Sequence, residues 1–417
     1  MAPPRWLAPW KDDPHSPAIY HVINRVVDRR FAFGDEEKEK FKMFMRMVED
    51  FSGCQVLSYC VMSNHFHILL EVAPMIRAVR LRDGLEVELS ASLRVQEERA
   101  KELGPGVSPT DLPKVGVVLE EKEFFQRLKD LYSDAVIGEI EMELAKAREA
   151  EHWAEVSHIF ERYTYRMNDL SQFMKNLLQR FTRWFNRSED RCGRLWEERF
   201  KSVIVEDGFA ARTVAAYIDL NPVRAGIVTD PAKYRWSSYA EALAGGKKAQ
   251  ARLVRAIERR VQRKEKEEGR KSSKSAEAGR IQSIATGARK WAQGGLGKEY
   301  RKLLLNAGQE VTLNAKMVKK GISQKQAKKE LATLAGQDSS EPSAKKSSDR
   351  AISKVIQHRI RYFSDGVVIG SKDFVDTFFK ASRKRFGPKR TSGARKPRGS
   401  LSPLKNKLYS VRDFQEP

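Results

Sequence analysis

Seven histidines occur in the 417 residues, and two of them are spaced for joint chemistry. His65 and His67 flank Phe66 in the run Val61-Met62-Ser63-Asn64-His65-Phe66-His67-Ile68-Leu69-Leu70. On an extended strand residues i and i+2 point to the same face, about 6–7 Å apart at the base for a rise of ~3.3 Å per residue. Two imidazoles so placed can converge on one ion, while Phe66 and Ile68 turn the other way into a core. Alone, the pair reads more simply as the polar face of a strand. A second segment changes that: Ala215-Ala216-Tyr217-Ile218-Asp219-Leu220-Asn221-Pro222-Val223-Arg224-Ala225-Gly226. Tyr217 and Asn221 are four apart and share one face of a helical turn. Two ring nitrogens, an amide oxygen and a phenol form a compact set. Mixed nitrogen and oxygen donors suit a divalent ion acting on a phosphate ester. A phenol titrates near 10, so it needs such an ion or a base beside it to attack as phenolate. Tyr217 by itself would be a half-buried aromatic on an amphipathic helix.

The elements that must position these groups can be traced along the chain. Ala18 to Val27 alternates loosely and predicts a strand. Gly34-Asp35 breaks it, and Phe41, Phe44, Met45 and Val48 mark a helix over Glu36 to Val48. Val56 to Val72 predicts two strand pieces with Met62-Ser63-Asn64 as the turn between them. Met167 to Asn186 is strongly amphipathic, with Asn168 or Asp169 as its cap. Phe200 to Val205 is strand-like, and Gly208 to Leu220 is helical until Asn221-Pro222 stops it. Between these pieces, residues 73–166 carry 14 Lys/Arg against 19 Asp/Glu, which predicts an acidic helical insertion. Its His152 and His158 are six residues apart, off a common helical face, and read as surface residues.

The charge of +23 is unevenly placed. Residues 245–417 hold 43 Lys/Arg against 16 Asp/Glu, while residues 1–244 hold 35 against 39. A basic extension on a near-neutral body favours a polyanion through counterion release. The extension begins with a charged helix, Arg252 to Lys274, and continues through a helical pattern at Ile322 to Leu334. A linker follows at Gln337 to Arg350, then a foldable segment, Ala351 to Lys380, with a strand at Val367-Val368-Ile369. Arg383 to Arg398 reads as a disordered basic arm. No run of about 18 apolar residues predicts a membrane span. No secretory signal precedes the body, and three cysteines are too few for a disulfide framework. The expectation is an intracellular, cytoplasmic protein that meets the nucleoid through DNA.

Six segments occur in one order: Tyr20-His21-Val22-Ile23-Asn24-Arg25, Asn64-His65-Phe66-His67, Phe185-Asn186-Arg187, Gly193-Arg194-Leu195-Trp196-Glu197-Glu198-Arg199-Phe200-Lys201, Tyr217 to Val228, and Tyr234-Arg235-Trp236-Ser237-Ser238-Tyr239. Together they resemble the REP-associated branch of the single-tyrosine HUH transposases over residues 18–240, interrupted by 73–166. The resemblance implies an α+β fold, a two-layer sandwich with an antiparallel, ferredoxin-like sheet presenting His65 and His67 and helices on a face. It implies a transposase domain over 1–72 and 167–244, an insertion over 73–166 and a basic extension over 245–417. It further implies that His65 and His67 bind the metal, Mg²⁺ or Mn²⁺, with Asn221 as a further polar ligand. Tyr217 is then the nucleophile that becomes a 5′-phosphotyrosine, and Asn24, Arg25, Arg199 and Lys201 contact DNA. Ser63 departs from the proline usual in that turn.

The resulting expectation is a metal-dependent endonuclease and transposase that cuts and rejoins single-stranded or hairpin DNA, as a monomer or homodimer. No Gly-rich phosphate loop followed by Lys-Ser/Thr signals an external energy source. The body is expected to carry the chemistry, and the extension to add salt-sensitive DNA affinity. Competing readings are a DNA-hairpin-binding protein that does not cut, a basic RNA-binding protein, and, more remotely, a zinc hydrolase lacking its third His or Cys.

Overall fold

The computed structural model describes residues 6–258 except 105, residues 276–335 except 294, 314 and 315, residues 352, 353, 356 and 362–395, and residues 408–411. The sheet that organises it starts from alternation in β1 (Ala18–Arg25), where Ala18, Tyr20 and Val22 face one side and Ile19 faces the other. α1 (Asp35–Ser52) follows, with Asp35, Glu36 and Glu37 in its first turn, where carboxylates oppose the helix dipole. It ends on Gly53 in the left-handed region at φ 72°. A side chain there would also strike the Arg127 guanidinium, since a Cβ would lie 2.3 Å from Nη1. β2 (Gln55–Val61) and β3 (His65–Val72) form the hairpin read from sequence, closed by a bond from Met62 N–H to the His65 carbonyl (2.8 Å).

Residues 73–166 are more than helical. β4 (Ile76–Arg80), β5 (Glu86–Glu88), α2 (Ser90–Leu103), β6 (Val117–Glu120), α3 (Glu121–Leu128), α4 (Asp134–Glu149) and α5 (Trp153–Thr164) build a small mixed sheet, ordered β5-β4-β6, with helices around it. Phe124, Phe160, Val79 and Leu119 give this part a core of its own. The chain then re-enters the main sheet's layer through α6 (Leu170–Ser188), capped by Asp169, whose carboxylate accepts from Gln172 N–H (2.7 Å).

The remaining elements include β7 (Lys201–Val205), α7 (Phe209–Asp219), α8 (Asn221–Arg224), α9 (Ser238–Leu243), α10 (Lys247–Ile257), α11 (Ala276–Ala292), α12 (Leu296–Ala307), the hairpin β8 (Val311–Leu313) and β9 (Lys316–Lys319), α13 (Gln324–Ala335), β10 (Val368–Gly370) and β11 (Tyr409–Ser410). The main sheet is six-stranded in the order β11-β10-β7-β1-β3-β2. Its β7-β1-β3-β2 centre is antiparallel throughout, so the α+β class with an antiparallel sheet holds. α1 and α6 cover one face with Phe41, Met45, Val48, Phe173, Leu177 and Phe181. α7 and α10 cover the other with Ala210, Ala211, Val214, Ala215, Ile218 and Ala256. Helices therefore flank the sheet on both sides, one layer beyond the expected sandwich. Among the described residues no helix is long and apolar enough to cross a membrane.

The basic extension is built into this core. β10 pairs parallel to β7, and Val368, Val375 and Phe378 join the α1–α6 side. The helix Lys372–Ala381 brings Phe378 and Phe374 against Trp6 and Trp10. The stretch from Arg383, expected as a disordered arm, is tied down as far as Arg395. Arg383 donates to the carbonyls of Phe386, Gly387 and Pro388, and Arg395 N–H donates to the Ser410 carbonyl (2.8 Å). Backbone carbonyls satisfy the Arg383 guanidinium, which charge counting does not foresee. The charged helix begins earlier than expected, at Lys247, and the rest of that reading from 259 onward, like the linker at 337–350, lies outside the described residues.

α10 is locked to α1 through Glu49, whose carboxylate is buried against Arg46 (2.6 Å), Arg252 (3.2 Å) and Lys248 (3.6 Å). Burial opposes its ionisation, but Arg46, Lys248 and Arg252 prevail and bring the carboxyl down to about 2. A depressed carboxyl contributes stability above its unfolded value near 4.5, lost as pH falls toward 2. Glu49→Gln leaves buried cations facing a neutral amide and should cost about 3 kcal/mol. The check is chemical denaturation at pH 7 and pH 3, where the deficit of the variant should shrink at the lower pH.

Candidate active site

Strand alternation sends Phe66, Ile68 and Leu70 of β3 into the α1–α6 core and leaves His65, His67 and Leu69 on the α7 side. The His65 and His67 rings stand 5.1 Å apart, centroid to centroid, and nearly perpendicular. α7 reaches this face because its inner positions are mostly Ala and Val, small enough for close approach to the sheet. It carries Tyr217 to 5.7 Å from the His67 ring and 6.0 Å from the His21 ring, both contacts edge-on. The strand and the helix that sequence paired by chemistry thus meet over one spot.

α7 and α8 are nearly continuous, since Leu220 between them keeps helical dihedrals. Pro222 falls in the first turn of α8, where a missing N–H costs nothing. Asn221 turns its amide N–H groups back to the Tyr217 and Ile218 carbonyls (3.2 and 3.4 Å). Its side-chain oxygen takes no part in those bonds. The same motif fastens the extension: Asp219, wholly buried, accepts from Tyr300 Oη (2.7 Å) and Tyr239 N–H (3.2 Å). Arg224 donates to the carbonyls of Gln309 (3.0 Å) and Lys320 (3.0 Å).

Both β3 histidines are neutral near pH 7. Burial, and next the Arg25 charge, bring His65 down to about 4. His67 lies well below the usual imidazole value through burial, His65, His21 and Arg25. Neutral imidazole is the form that ligates metal. For His65 the free nitrogen can be identified. Asn64 gives its amide N–H to the Arg29 carbonyl (2.9 Å), which aims its Oδ1 at His65 Nδ1 (2.7 Å). An amide oxygen only accepts, so His65 Nδ1 holds the proton and Nε2 keeps its lone pair. Arg29 itself sits at φ 56°, a left-handed conformation rarely taken by a long side chain.

These donors fit two nitrogen positions on a divalent ion. Among the described residues no group of three or more His, Cys, Asp or Glu gathers as a cage, so a closed zinc-type site is not formed. An ion held by the pair would complete its shell with oxygen, from the Asn221 side chain, a phosphate or water.

The four expected DNA contacts separate. Arg25 lies opposite His65 across the β1–β3 ladder, at the site. Lys201, exposed, pairs with Ile23, which in turn pairs with His67, and so stands on the same face two strands away. Arg199 is exposed in the segment leading into β7. Asn24 is corrected: it pairs with Phe66, falls on the α1–α6 side, and is 5% exposed. Its position in a polar motif suggested contact, but strand parity turns it away.

Sequence reasoning missed His21, fully buried between His67 and the extension. Its Nε2 is 3.0 Å from His67 Nδ1, and its Nδ1 is 2.5 Å from the Phe363 carbonyl oxygen. The signal was present, since His21 lies on β1 at the parity that faces α7. Phe363 had none, for its ring packs on Tyr217 (4.8 Å) from far along the chain.

With this geometry in view, the family model described as transposase, IS200 like, matches residues 15–104. The matched stretch holds β1, α1, β2, the His65-Phe66-His67 strand and the first part of the 73–166 segment, and supports kinship with that transposase family. It ends before Tyr217. No curated protein and no solved structure matches the chain.

Asn64→Leu removes the group that fixes the His65 tautomer. The expected result is a 10–100-fold weaker affinity for Mn²⁺, the cost typical of an outer partner to a ligating histidine. Calorimetric titration of the metal-free protein measures it.

Proposed function

We propose that the protein is a transposase of the REP-associated, single-tyrosine kind, which cuts and rejoins single-stranded or hairpin DNA through a 5′-phosphotyrosine. The observation that carries this reading is the Tyr217 ring held 5.7 Å from His67 on the sheet face that also bears His65. In the forward step the Tyr217 phenol loses its proton and its oxygen bonds to phosphorus. The bond from phosphorus to the 3′ oxygen breaks, and that oxygen leaves as a 3′-hydroxyl carrying a proton. A second 3′-hydroxyl reverses the exchange and frees the tyrosine, so the ester bond is conserved and no nucleotide is spent. Mg²⁺ or Mn²⁺ on His65 and His67, with Asn221 as the further ligand that the resemblance implies, would polarise the phosphoryl oxygen and neutralise developing charge.

Arg25 and Lys201 supply positive charge on the site's face, which suits a phosphate backbone. The loop after β1 adds a stacking surface: Arg29 and Arg30 are exposed, and Phe31 is 85% exposed. This loop is tied to the histidine turn by Phe33 N–H to the Ser63 carbonyl (2.9 Å) and by the Asn64–Arg29 bond. An exposed aromatic among arginines offers a base a face to stack on. A hairpin-binding or RNA-binding role without cleavage would give no reason for a phenol beside two neutral imidazoles.

Tyr217→Phe should abolish SDS-resistant conjugates with labelled hairpin DNA while leaving binding within about twofold; conjugates at undiminished yield would remove Tyr217 from the mechanism. Phe31→Ala should weaken binding to single-stranded DNA by about 1–3 kcal/mol, the worth of one stacked base. Fluorescence anisotropy at fixed salt reads this, and an equal loss for Phe31→Leu and no loss for Phe31→Trp would identify stacking.

A further inference from the structure

We propose that His21 and Phe363 are positioning residues of the site: a chain of two hydrogen bonds from the Phe363 carbonyl fixes which nitrogen of His67 is left bare, and the Phe363 ring steadies Tyr217. The C-terminal extension thereby completes the active centre instead of only lending charge. The proposal rests on reading His67 as a metal ligand and Tyr217 as the nucleophile.

The chain of bonds has one consistent proton arrangement. The Phe363 carbonyl can only accept, so His21 Nδ1 carries a proton toward it across 2.5 Å. His21 is wholly buried, and its two ring nitrogens meet the Phe363 carbonyl and the His67 ring. A second proton on that ring would place an unpaired cation in the interior, against the His67 imidazole. His21 is therefore neutral, and its Nε2 offers a lone pair to His67 Nδ1 at 3.0 Å. His67 must supply the proton for that bond. It follows that His67 Nε2 has none and keeps its lone pair free for a cation. His65 reaches the same state through Asn64 and the Arg29 carbonyl. Each histidine of the pair is thus set by a backbone carbonyl acting through one intermediate side chain, and only the Phe363 carbonyl belongs to the extension.

Phe363 contributes at both ends. Its carbonyl faces His21, and its ring lies 4.8 Å from the Tyr217 ring at 50°. The residue is buried in the same cluster as Ala215 and Ile218 of α7. It is held there by β10, five residues on, whose parallel pairing with β7 places Val368 beside Ile204. Ile204 N–H also donates to the Val367 carbonyl (2.9 Å). One turn of chain leading into β10 thus touches both halves of the site.

The test uses the full-length, metal-free protein with ¹⁵N-labelled histidine, comparing wild type with His21→Leu, His21→Gln and Phe363→Ala. In the wild type His67 should carry its proton on Nδ1 with Nε2 bare. His21→Leu should shift His67 toward the other tautomer and weaken Mn²⁺ binding by about 10–100-fold. His21→Gln, whose amide can accept from His67 and donate to Phe363, should restore most of both. Phe363→Ala keeps the carbonyl, so the His67 spectrum should hold while the rate of DNA conjugate formation falls about tenfold or more as Tyr217 loses its support. A wild-type His67 protonated on Nε2, or a tautomer and Mn²⁺ affinity unmoved in His21→Leu, would overturn the relay; should that variant not fold, the wild-type spectrum and His21→Gln decide. An unchanged conjugation rate in Phe363→Ala would overturn the role of its ring. If the tautomers and metal affinities behave as expected but the wild type forms no DNA conjugate, the transposase reading fails and the relay stands.

Discussion

The structure depends on one strand obeying two demands at once. β3 must bury Phe66, Ile68 and Leu70 against α1 and α6, and its period of two then commits His65 and His67 to the opposite face. A one-residue slip would exchange the sets, driving imidazoles into the apolar core and phenylalanine into the site. Register is therefore enforced by the core, and the core thereby positions the candidate chemistry. The aromatic cluster of Phe33, Phe41, Phe66, Phe181 and Trp196 makes the arrangement costly to disturb, with ring centroids 4.7–6.4 Å apart in its contacts.

Covering both faces has an electrostatic consequence. With α7 over the sheet, the imidazoles of His21 and His67 leave water and that of His65 is half-buried, and burial favours their neutral forms. Neutral rings have one donor and one acceptor nitrogen each, so every proton position is fixed by what the neighbouring atom can accept. Exposed histidines would carry no such information. The site is organised by exclusion of solvent as much as by residue identity, and part of that exclusion comes from residues more than a hundred positions beyond Tyr217.

Local pattern made much of this visible in the sequence. The β2–β3 hairpin, the amphipathic α6 and the helix bearing Tyr217 are each set by periodicity within a few residues, and the structure keeps them within a residue or two at most ends. Relations between distant segments were not visible. Nothing near Val368 announces that it will extend a sheet begun at Ala18, because parallel pairing leaves no turn signature. His21 was quoted in a motif, but its partner lies 342 residues away. Asn24 shows the opposite failure: its residue type suggested a contact, whereas the parity of β1 had already turned it inward. Counting charge described the extension as a polycation on a body; the buried partners of Arg252 and Arg255 show that some of that charge holds the fold together.

The central claim is that the Tyr217 phenol, delivered by α7 to the histidine face, becomes covalently joined to DNA. Digestion of the conjugate formed with hairpin DNA and Mg²⁺, followed by mass spectrometric sequencing, tests it at a single atom. The account predicts a peptide spanning Tyr217 with a nucleotide 5′-phosphate on that phenol. Attachment at any other residue, or a nicked product with no protein attached, would contradict it.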